Sequence, residues 1–261
     1  MRSIAFFQML SDVKSFRNIW FFDAWDDVRS QFRRTKIGPF WISLNSIAFT
    51  LGVCSVFPNQ SSMTFSQYLL YVYTGMWSWQ FIAGAFTQGS ISLINSSQSL
   101  LNMSVSPYIF IVQSILRNII NWLFGSPVYF ILLFFNDSMM NFWPLFSILT
   151  VVFSGLVISA FLTVISRLTL VHRDLSQVWV NGMQLLFFLT PVIWIADSGS
   201  IFRRTLSRYN PIYWLLQLIR DPLRFRCPSM STGLESFVLL GVGLVVAVSG
   251  ALSLSRVSKY V

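Results

Sequence analysis

Six long apolar stretches, separated by short polar segments, organise this chain. The first follows the cationic run Arg33-Arg34-Thr35-Lys36. A Gly38-Pro39 pair makes a joint, the aromatics Phe40 and Trp41 come next, and apolar residues then dominate to Phe57. Cations, then aromatics at headgroup level, then about 20 apolar residues is the pattern of a membrane-spanning helix. The remaining spans are expected at Phe65–Phe86, at a stretch ending at Phe135 that begins between Pro107 and Asn118, and at Phe142–Ser166, Val178–Ala196 and Phe237–Leu254. Pro127 lies inside the third and is expected to kink it. Residues 58–62 and 136–138 read as polar turns, and Arg167 to Gln177 as a polar loop.

Two further segments do not fit a span. In residues 8–36, Trp25, Val28 and Phe32 recur at helical spacing with charges between them, which predicts a helix lying in the membrane interface. Residues 87–106 are rich in Ser, Asn and Gln, with Ile91, Leu93, Ile94, Leu100 and Leu101 interspersed, an amphipathic connector.

Composition supports a lipid solvent. The chain is 54% hydrophobic and 10% charged, with mean hydropathy +0.63, whereas a soluble domain carries about 25% charged residues. Net charge is +9. The cations sit in clusters between apolar runs, so they point to topology signals and anionic lipid headgroups; no nucleic-acid partner is expected.

Basic residues also orient the chain. The cationic collar before the first span places the N-terminus in the cytoplasm, and six crossings return the C-terminus there, as Arg256 and Lys259 prefer. Residues 197–234 conflict: they hold Arg203, Arg204, Arg208, Arg220, Arg224 and Arg226 yet fall outside. Their apolar residues, Ile212 to Ile219, are too few to cross. A re-entrant pair of short helices on the outer face accounts for both facts, with arginines placed to meet phosphate or other anionic groups.

Little catalytic chemistry is legible. There is no Gly-rich phosphate loop ending in Gly-Lys-Ser/Thr, so uphill movement must draw on a partner or an ion gradient. His172-Arg173-Asp174-Leu175 matches the start of a kinase catalytic loop, but Trp179 stands where that loop needs Asn, so it reads as a charged cytoplasmic turn. With His172 the only histidine, no metal site is expected. Cys54 and Cys227 are two lone cysteines that define no disulfide framework. The acidic residues lie outside or at the edges of spans, which disfavours an ion-driven carrier. Arg117 falls inside the third span if that span starts early; a start at Asn118 leaves it snorkelling at the inner interface. The second span carries Tyr68, Tyr71, Tyr73, Trp77, Trp79 and Phe81, which read either as an interfacial belt or as a slide for sugar rings.

RRTKIGPFW before the first span, HRDLSQVWVNGMQLLFFLTPVIW across the fifth and NPIYWLLQLIRDPL after it resemble the permease subunits of type-2 ABC exporters, and most of all the O-antigen polysaccharide exporters. Capsule and teichoic acid permeases are near relatives. The resemblance implies an all-α polytopic protein with an N-terminal interface helix (region 1–36) and a transmembrane permease domain (37–261). That domain has six transmembrane helices and short re-entrant helices between spans five and six. It implies a homodimer in the bacterial inner membrane with two copies of a separate ABC ATPase, which binds ATP and Mg, and an undecaprenyl-linked polysaccharide as cargo. No cofactor and no enzyme activity are expected in this chain. The connector Ser90–Ser104 is implied to couple to the ATPase, with Asn95, Gln98, Leu101, Arg173 and Asp174 as contacts. It has no basic residue, where relatives often carry some. Trp41, Tyr71, Trp77, Trp79 and Trp194 are expected along the sugar path, and Arg203, Arg204 and Arg208 at the outer exit or the lipid pyrophosphate. A drug or lipid exporter of the same superfamily shares this fold; a membrane-embedded glycosyl- or acyltransferase would need an acidic or histidine cluster that the sequence lacks.

Overall fold

A computed structural model describes residues 15, 17–57, 63–102, 106–136, 143–195, 201–225, 234–235, 237–243 and 245–246. The described residues form helices and turns, with no strand. In chain order the helices are α1 (Arg17–Gln31), α2 (Phe40–Val56), α3 (Phe65–Ser90), α4 (Ser92–Asn95), α5 (Ser97–Asn102), α6 (Tyr108–Leu123), α7 (Ser126–Phe134), α8 (Trp143–Val171), α9 (Leu175–Leu189), α10 (Ile201–Tyr209) and α11 (Pro211–Leu223). Two helical stretches, Tyr108–Phe134 and Pro144–Val171, are long and apolar enough to cross a membrane, and Phe40–Val56 and Leu175–Leu189 are apolar but shorter.

Local sequence sets the boundaries. Gly38 has φ +63°, a left-handed conformation that glycine takes without a Cβ clash, and it turns the chain from the collar into α2. Thr64 starts α3 with a capping box: its side chain accepts from Gln67 N, and the Gln67 side chain accepts from Thr64 N. Asn210 caps α11 by accepting from Ile212 N, with Pro211 in the first turn.

The burial pattern is that of a protein whose solvent is lipid. On α2 the buried face carries Ser43, Ser46, Thr50 and Val53, while Phe40, Leu44, Phe49, Leu51 and Val56 face outward. On α8 the buried residues include Ser147, Thr150, Ser154, Thr163 and Ser166, and Leu145, Leu149, Leu156 and Leu168 face outward. Small hydroxyl residues let helices approach closely. Most of these hydroxyls return a hydrogen bond to their own helix, as Thr50 does to Ser46 O at 2.7 Å and Thr163 to Ala160 O at 2.8 Å.

Helix α3 is the hub. Most of its residues from Tyr68 to Ala85 are buried, and α2, α6, α7, α8, α9 and α11 all pack against it. Its last turn meets α8 where Gly89 lies against Leu162. At that end stand the α4–α5 connector and the turn between α8 and α9. At the other end α11 lies across α3 and α8.

Several sequence expectations need correction. The third span's helix begins at Tyr108, at the early end of the expected range and not at Asn118, so Arg117 is the tenth residue of α6. The kink precedes Pro127: the helix breaks at Phe124-Gly125, and Pro127 then occupies the first turn of α7, where its missing N–H costs nothing. The loop expected from Arg167 to Gln177 shrinks to His172–Asp174, because α8 stays helical through Val171 and α9 starts at Leu175. The fifth span ends at Leu189 rather than Ala196, since Thr190 leaves helical geometry ahead of Pro191. Two short helices, α10 and α11, do occupy the arginine-rich segment. The polar turn at 58–62, Cys227, Arg226 and the end of the sixth span with Arg256 and Lys259 lie outside the described residues.

Candidate functional site

Three neighbourhoods carry the polar groups of this apolar bundle. The first is the seat of α1. Ala24 and Val28 are buried against Ile120 of α6, with Phe32, Leu116 and Phe124 around them. Above this apolar contact Asp27 faces Arg117 across 3.6 Å and accepts from Gln113 Nε2 at 3.3 Å. Helix α1 is therefore fixed to the rest of the bundle along α6. Arg117 uses its charge on Asp27, which explains how a cation sits within an apolar helix.

The second neighbourhood is the break between α6 and α7. Breaking a helix frees carbonyl oxygens that lipid cannot satisfy. Here side chains from the neighbouring helices take them. Ser43 of α2 donates to Phe124 O, and Tyr73 of α3 donates to Gly125 O at 2.7 Å. Trp77 donates to Trp122 O at 2.8 Å and stacks on the Trp122 ring at 4.4 Å. Gly125 is required, because a Cβ there would overlap Trp77 Nε1.

The third is the corner formed by α9, α10 and α11. Arg220 is 3% exposed. Its guanidinium donates to Pro191 O at 2.9 Å and to Tyr71 Oη at 3.3 Å, and lies over the Tyr71 ring. Arg224 covers the same ring at 4.6 Å. Asn210, between the two short helices, donates to Thr190 Oγ1 at the end of α9. Tyr129 of α7 donates to Leu223 O.

The expected site residues fall into different places. Tyr71, Trp77 and Trp79 were expected on a sugar path but pack inside the single subunit, against α11, α6 and α9 respectively. Trp41 is half-exposed on the outer face of α2, and Trp194 is partly open beyond α9, with Arg203 at 5.6 Å from its ring. Arg203, Arg204 and Arg208 are exposed on α10. Asn95 is exposed at the end of α4, Gln98 and Leu101 belong to α5, and Arg173 and Asp174 are exposed in the turn before α9.

Two outward-facing polar stripes escaped the sequence reading. On α2, Trp41, Asn45 and Ala48 follow one another at helical spacing, all exposed, and line a groove of about 880 Å³ with Gln31 and Gln80 at its rim. On α9, Gln177, Asn181 and Gln184 are exposed at the same spacing. The available signal was the recurrence of amides at i, i+4 and i+7 in α9, and on α2 a lone Asn45 one turn after Trp41 in an apolar run. In lipid an outward amide is costly, so these stripes mark faces suited to water or to a polar partner.

No family model matches the chain. Two proteins from Klebsiella pneumoniae do, each named an O-antigen export system permease protein RfbA. One is 24% identical over 200 residues, covering 75% of this chain and 76% of the relative. The other is 23% identical over 231 residues, covering 84% and 87%. The chain resembles O-antigen export permeases along most of its length. The resemblance and the apolar helices point to a membrane protein, and the described residues have the all-helical build that the sequence led one to expect.

Proposed function

We propose that this chain is the membrane-spanning subunit of an ATP-driven exporter that moves lipid-linked O-antigen-type polysaccharide across the bacterial inner membrane. The similarity to two O-antigen export permeases over three quarters or more of each chain carries the reading. The outward Trp41-Asn45 face of α2 and the outward amide stripe of α9 supply a geometry for it. Two copies facing each other through these helices would enclose a polar path: Trp41, Asn45, Asn181 and Gln184 offer aromatic faces and amides to sugar rings, while the apolar remainder of each helix meets lipid. The buried Tyr71, Trp77 and Trp79 then stiffen the wall behind the path.

In this reading a separate ATPase supplies energy at the end carrying α4, α5 and the Arg173-Asp174 turn, with α1 passing its motion to α6. Arg203, Arg204 and Arg208 stand at the opposite end, where they suit an exiting pyrophosphate. Capsular polysaccharide or teichoic acid is the second cargo class, because the sequence resemblance extends to the permeases of those polymers. Deletion of the gene in its host tests the proposal. Surface O-antigen should vanish while lipid-linked polymer accumulates inside. Unchanged surface polysaccharide of every class would overturn it.

A further inference from the structure

Behind the α2 groove lies a recess of about 140 Å³ among α1, α2, α3 and α6. Its walls include the amides of Gln31, Gln80, Gln88, Asn118 and Asn121, together with Trp122. No acidic or basic side chain lines it. Five amides in one recess are unusual for the interior of an apolar bundle, since each unpaired amide costs free energy there. The chain answers only part of this demand. Asn118 donates to Ser114 O at 2.8 Å, and Gln80 accepts from Ser46 at 2.9 Å. Asn121 Oδ1 and Trp122 Nε1 are buried with no hydrogen-bond partner in the chain, and Trp122 is 5% exposed. Neither atom opens onto the recess as the side chains stand; a small turn of the Asn121 amide would offer its oxygen to an occupant and relieve this unmet demand.

We propose that this recess is a binding subsite for one neutral sugar ring, distinct from the path between subunits. The absence of charged walls disfavours phosphate and carboxylate ligands. The amides offer donors and acceptors matched to hydroxyl groups, which an acyl chain would leave unpaired. The stacked indoles of Trp77 and Trp122, which both border the recess, present apolar surface to C–H bonds. A cavity of about 150 Å³ accepts benzene, so the recess takes one face of a pyranose ring while its remaining substituents extend into the α2 groove. Access is through the α2 groove, since Gln31, Ile42 and Gln80 line both spaces. Gln31 ends α1, so occupancy of the recess touches the helix that is pinned to α6 by Asp27. The subsite deepens the export reading: a sugar held here would be sensed at the interface helix before it reaches the path.

Saturation-transfer NMR on the full chain in nanodiscs tests this, with methyl glucoside, methyl galactoside and N-acetylglucosamine as probes and methyl phosphate as the charged control. At least one sugar should receive saturation and the phosphate none. Asn121→Leu and, separately, Gln88→Ala at the rim should weaken that sugar's binding by about three- to tenfold, the loss of one or two hydrogen bonds. Thermal midpoints read in parallel show that the variants are folded. No sugar signal in the folded wild type, or equal binding in wild type and both folded variants, overturns the subsite and means that the recess holds water alone. Export measured in cells separates the two readings. A chain that restores surface polysaccharide yet shows no recess-dependent binding fails only this inference.

Discussion

Asp27 of the interface helix and Arg117 of α6 face each other across 3.6 Å, directly over the apolar seat formed by Ala24, Val28 and Ile120. The ion pair gives that seat a register, because sliding α1 by one turn would strand Arg117 in apolar surroundings. Both side chains keep some exposure, so their coupling should be modest, about 0.5–1 kcal/mol. Asp27→Ala is expected to lower the thermal midpoint slightly and to lower export more strongly, because α1 would no longer move α6 faithfully. A double-mutant cycle with Arg117→Ala, read by thermal unfolding in nanodiscs, should return a coupling of that size.

Arg220 makes a sharper prediction. It is buried and ties α11 to Tyr71 of α3 and to Pro191 beyond α9. Arg220→Leu removes charge-assisted hydrogen bonds and leaves Pro191 O unsatisfied, which should cost about 3 kcal/mol. Tyr71→Phe removes only the hydroxyl and should cost about 1 kcal/mol. Unfolding midpoints of the two variants check the ratio.

Gly125→Ala should destabilise by about 1–3 kcal/mol, an overpacking effect, because the added methyl displaces Trp77 from its bond to Trp122 O. Indole fluorescence provides a second readout, since the stacked pair would separate.

Neutralising Arg203, Arg204 and Arg208 together should leave the fold intact, as all three are exposed on α10. Export should fall if they meet a pyrophosphate. Surface polysaccharide at wild-type level in the triple variant would remove them from the mechanism.

Asp23 lies one turn before Asp27. Burial, followed by repulsion from Asp27 and Asp26, pushes its carboxyl above the ordinary value. The fold therefore favours the protonated form. That contribution is present at low pH and is lost as pH rises through the raised value. Asp23→Asn should stabilise the seat of α1 by about 0.3 kcal/mol at neutral pH, and the gain should vanish in acid. Thermal midpoints measured across that range test the sign.

Much of this fold was legible in single stretches of sequence. The collar and the Gly38 joint placed α2, the polar turn at 58–62 announced the start of α3, and the arginines of 197–234 with their few apolar residues announced two short helices in place of a crossing. What escaped was decided between helices. Nothing local says that Arg117 meets Asp27, some ninety positions away, so a start at Asn118 was the economical reading. The break at Phe124-Gly125 depends on Ser43 and Tyr73 arriving from α2 and α3. Aromatic residues of α3 are equally apolar whether they face a path or a core, and their burial follows from α3 being the hub. The outward amides of α2 and α9 were visible as letters, but their direction emerged only once the buried faces were known.

The carbonyls freed at Phe124 and Gly125 are each held by a hydroxyl from another helix. A break satisfied by water bends easily. One clamped from two sides keeps its angle, so α6 and α7 act as a rigid crank rather than a joint. In the proposed exporter, force applied at Asp27 would reach α2 and α3 with little lost in bending, and the compliance would reside elsewhere.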